Sequence, residues 1–153
     1  VEMADARKVA AGAGCIFRPT SEVDGRVLGF AQRKKGKYSL LIENGSPRLA
    51  AIDTMVHEMT HIWQYLNWDD NKIIENYGAD LRLEVYEGMA KWVEIQYALL
   101  INEVAVATRE KILTLHRDDE YGRGFVRYAQ QYPFSKGSYV TKPTPFLFGN
   151  NPL

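Results

Sequence analysis

The pentapeptide His57-Glu58-Met59-Thr60-His61 lies inside a run in which Leu49, Ile52, Val56, Met59, Trp63 and Leu66 recur every three or four residues. That period is helical, and Ser46-Pro47 just upstream reads as a cap followed by a first-turn proline. Residues four apart on a helix project from one face, so the two histidines can reach the same ion. In a strand or loop the same spelling would mean nothing. The apolar stripe is expected to face the core, with the histidines at its edge looking into a cleft.

Imidazole nitrogens suit zinc, and two of them leave room for a third protein ligand and a water, which is the open coordination of a catalytic site. One zinc ion is therefore expected on His57 and His61. Glu58, beside the first ligand, is placed to take the proton of that water. Asp53, one turn before His57, either orients a ligand from behind or is a solvated helix residue.

A third histidine just after the motif is absent, because His61 is followed by Ile62-Trp63-Gln64-Tyr65-Leu66-Asn67-Trp68. Carboxylates on a second helix remain. Helical period over about 80–102 puts Leu81, Val85, Met89, Trp92, Ile95 or Val93, and Leu99 on a buried side. Asp80, Glu84, Glu87, Lys91 and Glu94 share the other face. Glu87, 26 positions after His61, and Glu84, one turn earlier, both fit as ligand. His116 fits less well, since nothing around it repeats a ligand motif. Gly88 costs a helix about 1 kcal/mol relative to Ala, which implies close approach to another backbone or to the site.

The rest of the chain frames this helix pair. With 19 basic and 19 acidic residues the net charge is zero, so no broad positive field favours nucleic acid or an anionic membrane. No run of about eighteen apolar residues offers a transmembrane span. The first residues, Val1-Glu2-Met3-Ala4-Asp5-Ala6-Arg7-Lys8, do not read as a secretory signal, and a soluble chain is expected. The lone Cys15 excludes an internal disulfide and reads as a small core residue.

Residues 1–13 read as a short helix broken by Gly12-Ala13-Gly14. Runs 26–31 and 38–43 form a β-hairpin across the basic turn Arg33-Lys34-Lys35-Gly36-Lys37. The second run is expected as an edge strand beside the motif helix, either covered or open to an extended peptide. Asn67-Trp68-Asp69-Asp70-Asn71 reads as a connection. A third helix is expected over 103–117. A fourth opens at Asp118-Asp119-Glu120 and reaches about Tyr132, carrying an aromatic stripe of Tyr121, Phe125, Tyr128 and Tyr132. Residues 133–153 read as an extended tail, laid over the domain or mobile. The expected architecture is α+β: one mostly helical domain over 1–153, with its core at about 14–132 and a small N-terminal antiparallel sheet.

In order along the chain, Gly45-Ser46-Pro47-Arg48-Leu49, then Val56-His57-Glu58-Met59-Thr60-His61-Ile62-Trp63, Glu84-Val85-Tyr86-Glu87-Gly88-Met89-Ala90 and Tyr121-Gly122-Arg123-Gly124-Phe125 carry a resemblance. The chain resembles the C-terminal peptidase domain of the plant LIM-domain, ubiquitin-activated peptidases that limit organ growth, over roughly 14–132. The resemblance implies a gluzincin-like, zincin-type fold, hydrolysis of peptide bonds, and Glu87 at the family's ligand glutamate. Tyr121, in the matching Tyr-Gly-x-Gly-Phe stretch, is the residue it points to as donor to the reaction oxyanion. No LIM-type Cys/His cluster or ubiquitin-interacting helix is present in the sequence, so activation by ubiquitin is not carried over. The expected partner is a peptide or protein substrate. The alternative is an inert metal-binding or protein-interaction module that keeps the peptidase fold.

Overall fold

The computed structural model describes residues 2–4, 28–135 and 143–153. The fold is α+β and mostly helical, with two compact units, Val1–Ile62 and Trp63–Leu153. The division falls inside the longest helix, α1 (Arg48–Asn67). No helix among the described residues is long and apolar enough to cross a membrane.

The first unit holds a small sheet and most of α1. Strand β2 (Gly29–Lys34) runs antiparallel to β3 (Lys37–Glu43), from Gly29 opposite Ile42 to Lys34 opposite Lys37. Only Lys35 and Gly36 form the turn, both with positive φ (48° and 75°). Such two-residue turns match the natural twist of the strands they join. The basic residues on either side therefore belong to the strands. Leu41 and Ile42 are buried, as is Ala31 on β2.

A third strand, β1 (Glu2–Ala4), pairs in parallel with the end of β3, Glu2 opposite Leu41. Two expectations fall with it. Residues 2–4 are strand rather than helix, because a short isolated helix is marginal in water while a ladder along β3 satisfies the backbone at once. And β3 is the central strand of the order β1-β3-β2, so the edges of the sheet are β1 and β2. Cys15, the Gly12-Ala13-Gly14 break and the start of the 26–31 run lie outside the described residues.

The second unit is helical. After α1 comes a helix that the composition hides, α2 (Asp70–Tyr77). The polar stretch expected to be a connection is its start: Asp69 accepts from the Asn71 backbone N–H at 3.0 Å as N-cap. Gly78, at φ 85°, closes the helix by donating to the Ile74 carbonyl at 2.8 Å. Helices α3 (Arg82–Leu100), α4 (Val104–Leu115) and α5 (Glu120–Gln131) lie close to their expected spans. Asp119 caps α5, accepting from the Tyr121 and Gly122 backbone N–H groups.

The core of this unit gathers Val85, Met89, Trp92 and Ile95 of α3 with Phe125, Tyr128 and Tyr132. Trp68 and Ile73 join it from the α2 region. Helices α3 and α5 meet through glycines: a Cβ on Gly88 would stand 2.3 Å from the Gly124 carbonyl carbon. Close approach is thus the reason for glycine inside α3.

The described end of the chain is held down rather than loose. Pro145 opens a short 3-10 turn (Pro145–Leu147) and is buried. Asn150 accepts from the Asp69 N–H at 2.7 Å, Tyr77 bonds Asn151 and Leu153, and the Tyr132 hydroxyl donates to the Pro152 carbonyl.

Candidate metal centre

The buried side of α1 is polar. Asp53, His57, Thr60, His61 and Gln64 turn inward, with His57 and His61 only 8% and 7% exposed. Met59 and Leu66, from the stripe expected to face the core, are 56% and 61% exposed. The expected orientation of the helix is therefore corrected: the histidines sit within the buried face rather than at the edge of an apolar one. Partners make this tolerable, since a buried polar group is costly only when left unsatisfied. The Thr60 hydroxyl donates to the Val56 carbonyl at 2.9 Å, and the Gln64 amide donates to the Tyr86 carbonyl on α3 at 3.0 Å.

His57 and His61 aim the same ring nitrogen at each other, Nε2 to Nε2 at 3.2 Å, with the rings edge to face at 78°. Such a pair has at most one proton between its two nitrogens, so at least one of them is an acceptor. A Glu87 carboxylate oxygen completes the group: the three donor atoms all lie within 4.8 Å of one another. Two imidazole nitrogens and a carboxylate oxygen at this spacing could hold a metal ion.

Glu84, the rival ligand, is otherwise engaged. Arg123 Nε donates to one of its carboxylate oxygens at 2.6 Å and Arg127 Nε to the other at 3.2 Å. The acidic face of α3 is thus not a solvated one, for Glu84 and Glu94 are both buried and Lys91 donates to Glu94 at 2.8 Å. Burial alone would lower the Lys91 pKa, yet the carboxylates of Glu94 and Glu110 hold it above its ordinary value. His116, exposed and bonded to the Ile112 carbonyl at 2.7 Å, stands outside the metal group.

Glu58 is shaped by the sheet. A Cβ on Gly29, at the start of β2, would meet the Thr54 methyl at 2.3 Å and Glu58 Cγ at 2.9 Å. Glycine there leaves the Glu58 side chain its room. Asp53 is buried one turn before His57, which removes the solvated reading of that residue. Tyr121 lies in the first turn of α5, half-buried, with the Arg117 guanidinium over its ring at 4.3 Å. It differs in this from Phe125, Tyr128 and Tyr132, which are fully buried.

Sequence reasoning missed the two arginines. Arg123 and Arg127 stand one turn apart on α5, a spacing that places both on one face and was available as a signal. In comparisons with known proteins, the chain matches no family model, no curated protein and no solved structure.

Proposed function

We propose that the chain is a zinc-dependent peptidase with a gluzincin-like site, resembling the peptidase domain of the plant LIM-domain, ubiquitin-activated enzymes. The observation that carries the proposal is the convergence of His57, His61 and Glu87 donor atoms within 4.8 Å, next to a glutamate in the motif. The spacing of the two imidazole nitrogens suits the ion. Two nitrogens bound at ~2.0–2.1 Å to one tetrahedral ion stand about 3.3 Å apart, and these two stand 3.2 Å apart.

Zinc, when bound, supplies a Lewis acid that polarises the scissile carbonyl and acidifies a water. His57, His61 and Glu87 would hold it, the two imidazoles as neutral ligands and the carboxylate as the anionic one. Glu58 takes the proton of the attacking water and hands it to the leaving amine, acting as base and then as acid. Tyr121 donates to the oxyanion that forms at the carbonyl oxygen. Asp53 orients His57 from the preceding turn. An extended peptide substrate adds to the edge strand β2, whose first residue packs against Glu58.

The test is hydrolysis of an unfolded protein with added zinc, with and without chelator, by the intact chain and its Glu58→Gln variant. Turnover is expected only with zinc, and Glu58→Gln is expected to lose about 10²–10⁴-fold in rate while retaining its metal. A fully active Glu58→Gln protein rejects the mechanism. Metal bound in the intact chain without any turnover would leave the alternative, an inert metal-binding module.

A further inference from the structure

The first turn of α3 and the last turns of α5 enclose a cleft of about 500 Å³ whose lining includes none of His57, His61 and Glu87, within the usual range of small-molecule sites. Its walls are apolar where Leu81, Val85, Leu153 and the ring of Tyr77 line it. The Tyr77 hydroxyl is already engaged with Asn151 and Leu153, so it offers the cleft a ring and little else.

The polar lining is Glu84, Arg127, Gln130 and Gln131. Arg127 spends its Nε–H on Glu84, and its two terminal nitrogens make no hydrogen bond among the described residues. Four N–H donors in a flat fork are therefore available, the geometry that grips a carboxylate through two parallel bonds. Gln130, also on the wall, has a side-chain amide with no hydrogen bond among the described residues. Glu84 does not cancel this, since both of its oxygens are taken by arginines and its side chain is 8% exposed, against 50% for Arg127. Arg123 is shared between Glu84 and Asp118, the latter at 3.1 Å, so the charges of the group balance and Arg127 is the arginine with unspent donors. On the cleft wall the exposed charged side chain is Arg127, while Glu84 is buried.

We infer that this cleft binds a small carboxylate with an apolar body, its carboxylate on Arg127 and Gln130 and its carbon chain against Leu81, Val85 and Tyr77. A short free acid and the last residue of a peptide share that chemistry. The site is separate from the metal group and does not rest on the peptidase reading.

The test is a titration of the full chain with N-acetyl-leucine, hexanoate and N-acetyl-leucinamide, followed by NMR through the methyls of Leu81, Val85 and Leu153 and repeated with chelator. At least one of the acids is expected to give saturable shifts, unchanged by chelator, with the amide binding about tenfold or more weakly. Tighter binding of N-acetyl-leucine than of hexanoate assigns the site to a peptide C-terminus, and the reverse order assigns it to free acids. Arg127→Gln is expected to remove about tenfold of the acid affinity and none of the amide's, with Gln130→Ala acting in the same direction more weakly. Circular dichroism checks that the variants fold. Equal binding of acid and amide, absence of saturable shifts at these methyls, or unchanged acid affinity in a folded Arg127→Gln protein overturns the proposal; if that variant does not fold, the acid-against-amide comparison and Gln130→Ala decide it.

Discussion

Helix α5 and the Tyr132 that follows it turn Phe125, Tyr128 and Tyr132 inward with no exposed surface, whereas α1 turns Asp53, His57, Thr60, His61 and Gln64 inward and leaves Met59 and Leu66 in solvent. Burying a Leu or Met side chain contributes about 1.5–3 kcal/mol, so the hydrophobic effect by itself favours rolling α1 the other way. What a roll would break is the Gln64 bond to α3 and the approach of the Glu87 carboxylate to the two imidazoles; the Thr60 bond and the imidazole pair lie within α1 and would turn with it. One face stabilises the fold through area. The other gives up area to bring donor atoms together, and that sacrifice is the mark of a site rather than of a core.

The contrast can be broken by substitution on each helix. The largest loss belongs to α5, where Phe125→Ala removes a fully buried ring packed beside Phe134 and should cost about 3–5 kcal/mol by denaturant unfolding. A cost under 1 kcal/mol would show that the aromatic face is not the core described.

Next comes the cap of α5. Asp119→Ala should cost about 0.5–2 kcal/mol, since two backbone N–H groups lose their acceptor. Burial alone would raise the Asp119 pKa, but the Arg117 guanidinium and the two N–H groups bring it below its ordinary 3.8. A carboxyl depressed in the folded state adds stability above its unfolded pKa and loses it as pH falls through the folded value. Stability measured downward from pH 5 should therefore fall below about pH 4 in the intact chain, and Asn at 119, a capable cap without a charge, should flatten that part of the curve. An unchanged slope with Asn would remove Asp119 from the account.

The smallest effect is expected on the outer side of α1: Leu66→Ala, at an exposed position, should change stability by less than about 0.5 kcal/mol. A loss of 2 kcal/mol or more would mean that the apolar stripe is covered, and the comparison between the helices would fail.

Much of the framework was legible because α3 and α5 repeat large apolar residues at helical intervals that face the core. The same rule misread α1, for periodicity finds the apolar face and assumes that it is buried. It also passed over α2, whose start is spelled entirely in polar residues: Asp69 there is a cap rather than loop, and Trp68 beside it belongs to the core. At the site, His57 and His61 could be read from spacing alone. Glu84 and Glu87 could not be separated in that way, being a turn apart on one helix. Arg123 and Arg127 separate them, and their meeting with Glu84 is a contact across 39 and 43 residues that local spacing does not reveal.

The most direct test of the centre is metal content per chain in the purified protein and three variants. One zinc per chain is expected, lost in His57→Ala and Glu87→Ala and kept in Glu84→Ala. Retention of zinc by Glu87→Ala, with loss in Glu84→Ala, would contradict the ligand set, and an intact chain that takes up no metal would contradict the centre itself.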